Sequence, residues 1–299
     1  MRLKLLLLFL ASSLIACSHF AAAARPLSLW SVQSDTAQVY LLGSIHVMRE
    51  NMYPLAAPMT EAFEASDVAV FEVDMAESGG PGAMKLMQEM GRYPKGEDIY
   101  SGLDEETLAL LEEYFAENQI DIRQFETVRP WMIAVNIGLV ELGKMGFDAS
   151  RGIDLHFQQK AKATGKPILA LETFREQIEL LSGDSPEVQE LGLKLALLFK
   201  DEAPEFIDQL IAAWANGDAD KMYEVSAADY ERDPRLEAQF ERLLDHRNER
   251  MATRILAFLE ETDKTYFVVV GALHMGGEKG LLALLGKDYK VQQVHHSAQ

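Results

Sequence analysis

The sequence predicts an α/β fold with a mixed or mostly parallel central sheet, flanked by helices and carrying large helical insertions. Three observations predict it. Strand-like apolar runs lie near both ends of the 299-residue chain and once in its middle. Helical blocks separate those runs, and strand–helix–strand alternation at each end favours a sheet with helices on its faces. Two runs, Val39-Tyr40-Leu41-Leu42 and Tyr266-Phe267-Val268-Val269-Val270, end in the same device, Gly43-Ser44-Ile45-His46 and Gly271-Ala272-Leu273-His274. A Gly-x-x-His at the carboxyl end of a buried strand puts an imidazole on the loop leaving the sheet. That is the edge at which α/β proteins bind ligands.

Leu29–Val32 and Gln38–Leu42 flank Ser34-Asp35-Thr36-Ala37 and read as a β-hairpin. A helix is expected from Pro58 to Ala65, then a buried strand Val68–Asp74 and a loop at Gly79-Gly80-Pro81-Gly82. Residues 83–166 read as mostly helical, with Asp104 capping one helix and Arg129-Pro130 opening another through Leu142. Gly152–Ala163 is a further helix, and Ile168–Leu171 a short strand ending at Glu172. Thr173 to Leu259 reads as helices only, including one long amphipathic helix Leu236–Leu259 that carries Arg247 and Asn248. The last unit is a strand Tyr266–Gly271, the His274 loop, a helix Gly277–Leu285 and a strand Tyr289–Val294. No linker rich in Pro, Ser or Gly interrupts residues 25–299, which read as a single domain without tandem repeats.

Residues 1–24 read as a signal peptide, with basic Arg2 and Lys4 before an apolar run, Leu5–Ala16, too short to span a bilayer. Two processing sites compete. Leu14-Ile15-Ala16-Cys17 resembles a lipobox, and Ala22-x-Ala24 resembles an ordinary signal-peptidase site. Either implies export, to the periplasm or to a membrane-anchored lipoprotein. Cys17 is the sole cysteine, so no internal disulfide can form. The net charge is −19, and removal of Arg2 and Lys4 takes it to about −21. No basic stripe exists, which excludes nucleic acid as a partner. Membrane contact is expected only through the leader or a lipid anchor, and the remaining partner is a peptide or small-molecule substrate.

His46 and His274 in matching contexts suggest a shared site, because neutral imidazole is the commonest metal-ligand side chain. The plain alternative is a pair of loop-capping or core histidines. Glu72 sits in the apolar strand Val68-Ala69-Val70-Phe71, where a carboxylate is costly unless it holds a metal or pairs with an Arg. Glu172 ends its strand similarly, or else complements the dipole of the following helix. Arg247 lies among Glu241, Asp245 and Glu249, either in solvated helix pairs or facing the carboxylate rim to hold an oxyanion. His156 and His246 form no His-Glu-x-x-His pair, and His295 and His296 read as an exposed polar tail. No Gly-x-Ser-x-Gly elbow or phosphate-binding Gly loop is present. Two histidines and carboxylates leave metal-assisted hydrolysis as the favoured chemistry.

Five segments then carry a resemblance. Val39–Val47, Val70-Phe71-Glu72-Val73-Asp74, Leu171-Glu172-Thr173 with Gln177, Asp245-His246-Arg247-Asn248 with Met251, and Gly271–His274 resemble, in order, the motifs of the TraB/GumN family, which includes the animal Tiki proteins. The resemblance covers the chain after Arg25. It implies an α/β fold related to a haem-binding lipoprotein group and to erythromycin esterases. In the Tiki branch the two Gly-x-x-His motifs and the acidic residue are linked to metal-dependent proteolysis. By that resemblance His46, Glu72 and His274 are the metal ligands, for Mn²⁺, Co²⁺ or Zn²⁺. Glu72 is a third ligand or a base, with Arg247 and Glu172 as supporting catalytic residues. The expected function is a metal-dependent hydrolase of the bacterial cell envelope, with peptidase as its narrower form. Its alternatives are a non-enzymatic haem- or iron-binding lipoprotein and a peptide-sequestering protein.

Overall fold

The structure, a computed structural model, describes residues 24–78, 80–230, 233–260 and 263–296. The leader's basic residues, its apolar run, Cys17 and the loop glycine Gly79 lie outside them.

Among the described residues the strands are β1 Arg25–Gln33, β2 Gln38–Ser44, β3 Val68–Phe71, β4 Ile168–Ala170, β5 Thr265–Gly271 and β6 Val291–His296. They form one mixed sheet in the order β4-β3-β5-β2-β1-β6. β4, β3, β5 and β2 run parallel, while β1 is antiparallel to β2 and to β6. The expected α/β class is therefore observed, with its parallel and antiparallel halves side by side.

Alternation along each strand feeds two cores. Leu29, Leu42, Ala69, Phe71, Phe267 and Val269 face one side, where Phe63, Phe157 and Trp214 cover them. Val39, Leu41, Val68, Val70, Val268 and Val270 face the other, beneath Met251, Ile255 and Leu259. Two helical insertions share a further core away from the sheet, in which Leu111, Tyr114, Ile133 and Ile137 meet Leu193 and Leu197. Asp104 caps the helix Glu105–Glu117, and Pro130 opens the helix Pro130–Lys144, as the sequence suggests.

Four boundaries differ from the sequence reading. β3 stops at Phe71, so Glu72 and Asp74 follow the strand rather than ending inside it. The loop at 79–82 is shorter than expected, because Pro81 already opens a helix, a position that suits its fixed φ. The expected long helix Leu236–Leu259 is two helices, Pro234–Leu243 and Asp245–Glu260, separated at Leu244. His295 and His296 do not form a tail. They pair with Pro26 and Arg25 at the end of β6.

The parallel half positions the site. Leu42, Val269, Phe71 and Ala170 lie in one register row across β2, β5, β3 and β4. β3 and β4 end at this row and β2 and β5 two residues beyond it, all on one edge. β3 joins the sheet beyond β5, on the opposite side from the β1–β2 hairpin. This change of direction opens a crevice at the carboxyl ends, as at other topological switch points.

Phe267 is fully buried, in an edge-on contact with Phe63 at 5.5 Å and a tilted contact with Phe157 at 4.9 Å. Phe267→Ala should cost about 3–5 kcal/mol of stability. Urea unfolding checks this, and a loss below about 1 kcal/mol would mean the sheet face is not packed as described.

Candidate functional site

Each parallel strand contributes one side chain to the same edge. His46 follows β2, Glu72 follows β3, Glu172 follows β4 and His274 follows β5. Ladder bonds continue just past the strand ends. The Leu171 N–H donates to Phe71 O at 2.8 Å and the Glu172 N–H to Glu72 O at 2.7 Å, which sets the two glutamates side by side.

The two Gly-x-x-His units are not equivalent. Ser44, not Gly43, lies opposite Gly271 in the β2–β5 register. Gly43 sits within the ladder opposite Val270, and a Cβ there would come within 3.1 Å of the Ala272 Cβ. His274 ends a 3₁₀ turn, Ala272–His274, and is buried. The His46 side chain is 64% exposed, at the cavity mouth.

Both imidazoles meet an oxygen at Nδ1, His274 in a hydrogen bond and His46 in an ion-pair contact. His274 Nδ1 lies 2.6 Å from Asn248 Oδ1. The Asn248 amide cannot turn over, since its Nδ2 donates to Lys279 O at 3.0 Å. Oδ1 must therefore accept, and neutral His274 carries its proton on Nδ1 and a lone pair on Nε2. That Nε2 is 3.9 Å from Glu72 Oε1. His46 Nδ1 lies 3.1 Å from Asp154 Oδ1, at the start of the helix Ile153–Thr164. Gly152 lets this helix approach, because a Cβ there would stand 2.5 Å from the His46 carbonyl oxygen. A Cβ placed on Gly271 would lie 3.2 Å from Glu72 Oε1, 3.6 Å from His46 Nε2 and 3.6 Å from His274 Cδ2. Three predicted ligands therefore converge on the space above a glycine.

Arg247 occupies the deeper side. Its Nε donates to Glu172 Oε1 at 3.1 Å and to Oε2 at 3.0 Å, its Nη1 to Leu243 O at 3.2 Å, and its Nη2 to Glu72 Oε2 and Glu172 Oε2. The guanidinium clamps both glutamates, and its donors already have acceptors within the protein. Glu72 is paired with Arg247, the partner that one of its sequence readings expects. Glu172 is likewise a buried counter-ion, because the helix Phe174–Ser182 takes its cap from Thr173 and Glu176 instead. Arg250 adds a contact to Glu172 Oε1 at 3.3 Å.

Charge follows from these contacts. Burial of Glu72 acts upward, but His274, Arg247 and the Gly271 N–H, which donates at 2.6 Å, together hold its carboxyl well below the usual range. Burial pushes His274 down to about 4, against the pull of Glu72. At His46 desolvation acts downward and is outweighed by Asp154 and Glu72, which raise it to about 9. At neutral pH one imidazole is neutral and the other cationic.

Asp154, Gln177 and Ser44 complete the site. Gln177 Nε2 donates to Glu72 Oε2 at 3.1 Å. Asp154 carries no sequence signal, since a first-turn acidic residue is ordinary dipole complementation. His156 stacks against Tyr53 and Phe157, away from this cluster. A cavity of about 510 Å³ opens over His46, Glu72, Gln177 and Arg247. The donor types and the oxygens at both Nδ1 atoms suit a divalent ion. As they stand, no group of three His, Cys, Asp or Glu side chains among the described residues is arranged to hold one.

An α/β sheet whose parallel strands each end in a histidine or glutamate, clamped by one helix bearing Arg-Asn, defines a class of protein. The chain belongs to the TraB/PrgY/gumN family, whose model matches residues 28–293. It is 26% identical over 249 residues to the Escherichia coli (strain K12) "Uncharacterized protein YbaP", covering 82% of this chain and 87% of that one. A Shigella flexneri protein of the same name matches equally. A Treponema pallidum (strain Nichols) "Uncharacterized protein" is 21% identical over 178 residues, 58% of this chain and 52% of its own. No solved structure matches.

Two outcomes follow from the geometry. Gly271→Ala should cost about 1–3 kcal/mol in unfolding experiments, because its Cβ forces the Glu72 carboxylate aside. Imidazole ¹⁵N spectra should show His274 without a proton on Nε2 from pH 8 to pH 5, and His46 cationic at pH 7. The depressed His274 value also makes stability fall as pH drops from 6.5 toward 4, where the unfolded chain takes up a proton that the folded one refuses. A His274 that titrates near 6.5 contradicts the assignment.

Proposed function

We propose that the chain is a metal-dependent hydrolase of the bacterial cell envelope, acting on amide or ester bonds. One observation carries the reading. His274 is fixed through Nδ1 by Asn248 with its Nε2 3.9 Å from Glu72 Oε1, and His46, with Asp154 at its Nδ1, brings its Nε2 to the same space above Gly271. Fixing Nδ1 in this way is how proteins orient histidine ligands and set their tautomer. His46 and His274 would hold the ion, with Glu72 as the third donor. When bound, a divalent ion such as Mn²⁺, Co²⁺ or Zn²⁺ supplies Lewis-acid polarisation of a carbonyl and acidifies water toward neutrality.

The chain's own groups then have distinct tasks. Glu72, ionised across the physiological range, accepts a proton only from a strongly acidified donor, so it serves better to orient than as a general base. Arg247 and Gln177 hold that carboxylate in one rotamer. As a ligand His46 binds through a neutral Nε2, so ion uptake displaces the proton that Asp154 and Glu72 favour. Its exposure at the cavity mouth lets that proton leave to solvent. Export fits the same reading, because residues 1–24 have the basic-then-apolar pattern expected of a signal peptide.

A second reading has a specific observation behind it. Glu72 already accepts from Gly271, Gln177 and Arg247. That engagement suits a protein that binds a peptide in this cleft without cleaving it.

Purified protein should bind about one equivalent of divalent ion. His46→Ala and His274→Ala should each abolish that binding, and Asn248→Ala should weaken it about 10–100-fold by freeing the His274 ring. Unchanged metal content in both histidine variants overturns the proposal. Metal-independent peptide binding without turnover favours the second reading.

A further inference from the structure

We propose that the substrate of this site is a neutral carbonyl compound, an amide or ester, whose reacting carbonyl carries a large apolar group. The inference deepens, and rests on, the hydrolase reading above. The cavity lining is of two kinds. Glu72, Arg247, His46 and Gln177 are polar. Leu155, Leu180, Leu181, Leu243 and Met75 are long and apolar. None of these five belongs to any of the chain's hydrophobic cores. Met75 is 38% exposed and Leu181 37% exposed. They come from four separate helices, Met75–Ser78, Ile153–Thr164, Phe174–Ser182 and Pro234–Leu243, which all reach this cavity. Long apolar side chains gathered from distant segments into one wet lining leave apolar surface that a ligand can cover.

The charges of the polar lining are already matched. Arg247 faces Glu72 and Glu172, and His46 faces Asp154. No other charged side chain lines the cavity. Away from the ion's place beside Glu72, a charged substituent would find no partner, so a neutral one is favoured there. Ser44 supplies the remaining polar anchor. It is 3% exposed, lines the same cavity, and its Oγ has no hydrogen-bond partner. Buried hydroxyls without partners are uncommon, and this one belongs to a residue of the cavity lining. A ligand carbonyl or N–H satisfies it and fixes which end of the substrate meets His46 and Glu72. Mostly apolar walls with a few placed polar groups are the usual composition of small-ligand sites.

The test uses the protein with ¹³C-methyl methionine and a graded series of N-methylamides of acetic, butanoic and hexanoic acid, without and with added Zn²⁺. Affinity should rise roughly fourfold per methylene, and the Met75 methyl resonance should move with saturation. Leu181→Asn, at an exposed position, should reduce the gain per methylene to about twofold. Ser44→Ala should weaken every member by the same roughly 2–10-fold factor and leave the gain per methylene unchanged. N-acetyl-leucine N-methylamide separates the sources: tighter binding than the hexanoic compound assigns a peptide, and weaker binding an acyl chain. Equal affinity from acetic to hexanoic, or a gain unaltered by Leu181→Asn, overturns the proposal. Metal content measured on the same samples keeps the two readings apart. A flat series with metal bound sinks the substrate class alone, and a graded series without metal sinks the metal site alone.

Discussion

The site depends on one buried ionic contact, the guanidinium of Arg247 between Glu72 and Glu172. Parallel pairing of β3 and β4 brings the two glutamates to adjacent ladder positions, joined through the Glu172 N–H and the Glu72 carbonyl. Their side chains are 11% and 2% exposed. Two carboxylates so placed repel each other, and neither is solvated well enough to ionise cheaply. Arg247 resolves both problems at once. Removal of one member of such a buried group leaves an uncompensated charge, at about 3–5 kcal/mol. The clamp thus fixes the direction of Glu72 Oε1, which is the oxygen that faces the histidines.

The same helix sets the other half. Arg247 and Asn248 are neighbours in the first turn of Asp245–Glu260, and their side chains diverge to Glu72 and to His274. The separation at Leu244 lets this helix start afresh beneath the sheet edge rather than continue from Pro234–Leu243. A single rigid element therefore orients the acidic and the imidazole partners together. On the far side, Gly152 seats the helix bearing Asp154 against the His46 loop. The site is built from strand ends and braced by two helix starts.

Much of this was legible in the sequence because strands announce themselves by apolar runs and sites by what interrupts them. Glu72 inside an apolar run, and two strands closing on Gly-x-x-His, located the edge. Other features depended on tertiary pairing that periodicity does not encode. Nothing in Arg242-Leu243-Leu244-Asp245 marks a helix break, since no Gly or Pro is present. Asp154 reads as an ordinary first-turn acid. The two Gly-x-x-His units look alike in sequence, yet register sets them one residue apart, with one ring buried and one exposed. Ser44 is an ordinary strand residue until its hydroxyl is found buried without a partner. The apolar lining of Leu180, Leu181 and Leu243 reads as the core face of amphipathic helices until no core contains it.

The central claim is that His46 and His274 present their Nε2 atoms to one cation beside Glu72. A crystal of the protein soaked in Zn²⁺, with anomalous diffraction recorded at the zinc edge, tests it most directly. The account predicts one strong peak at about 2.1 Å from both Nε2 atoms, above the Cα of Gly271. A peak held only by surface carboxylates, or both imidazoles bare at saturating zinc, contradicts it.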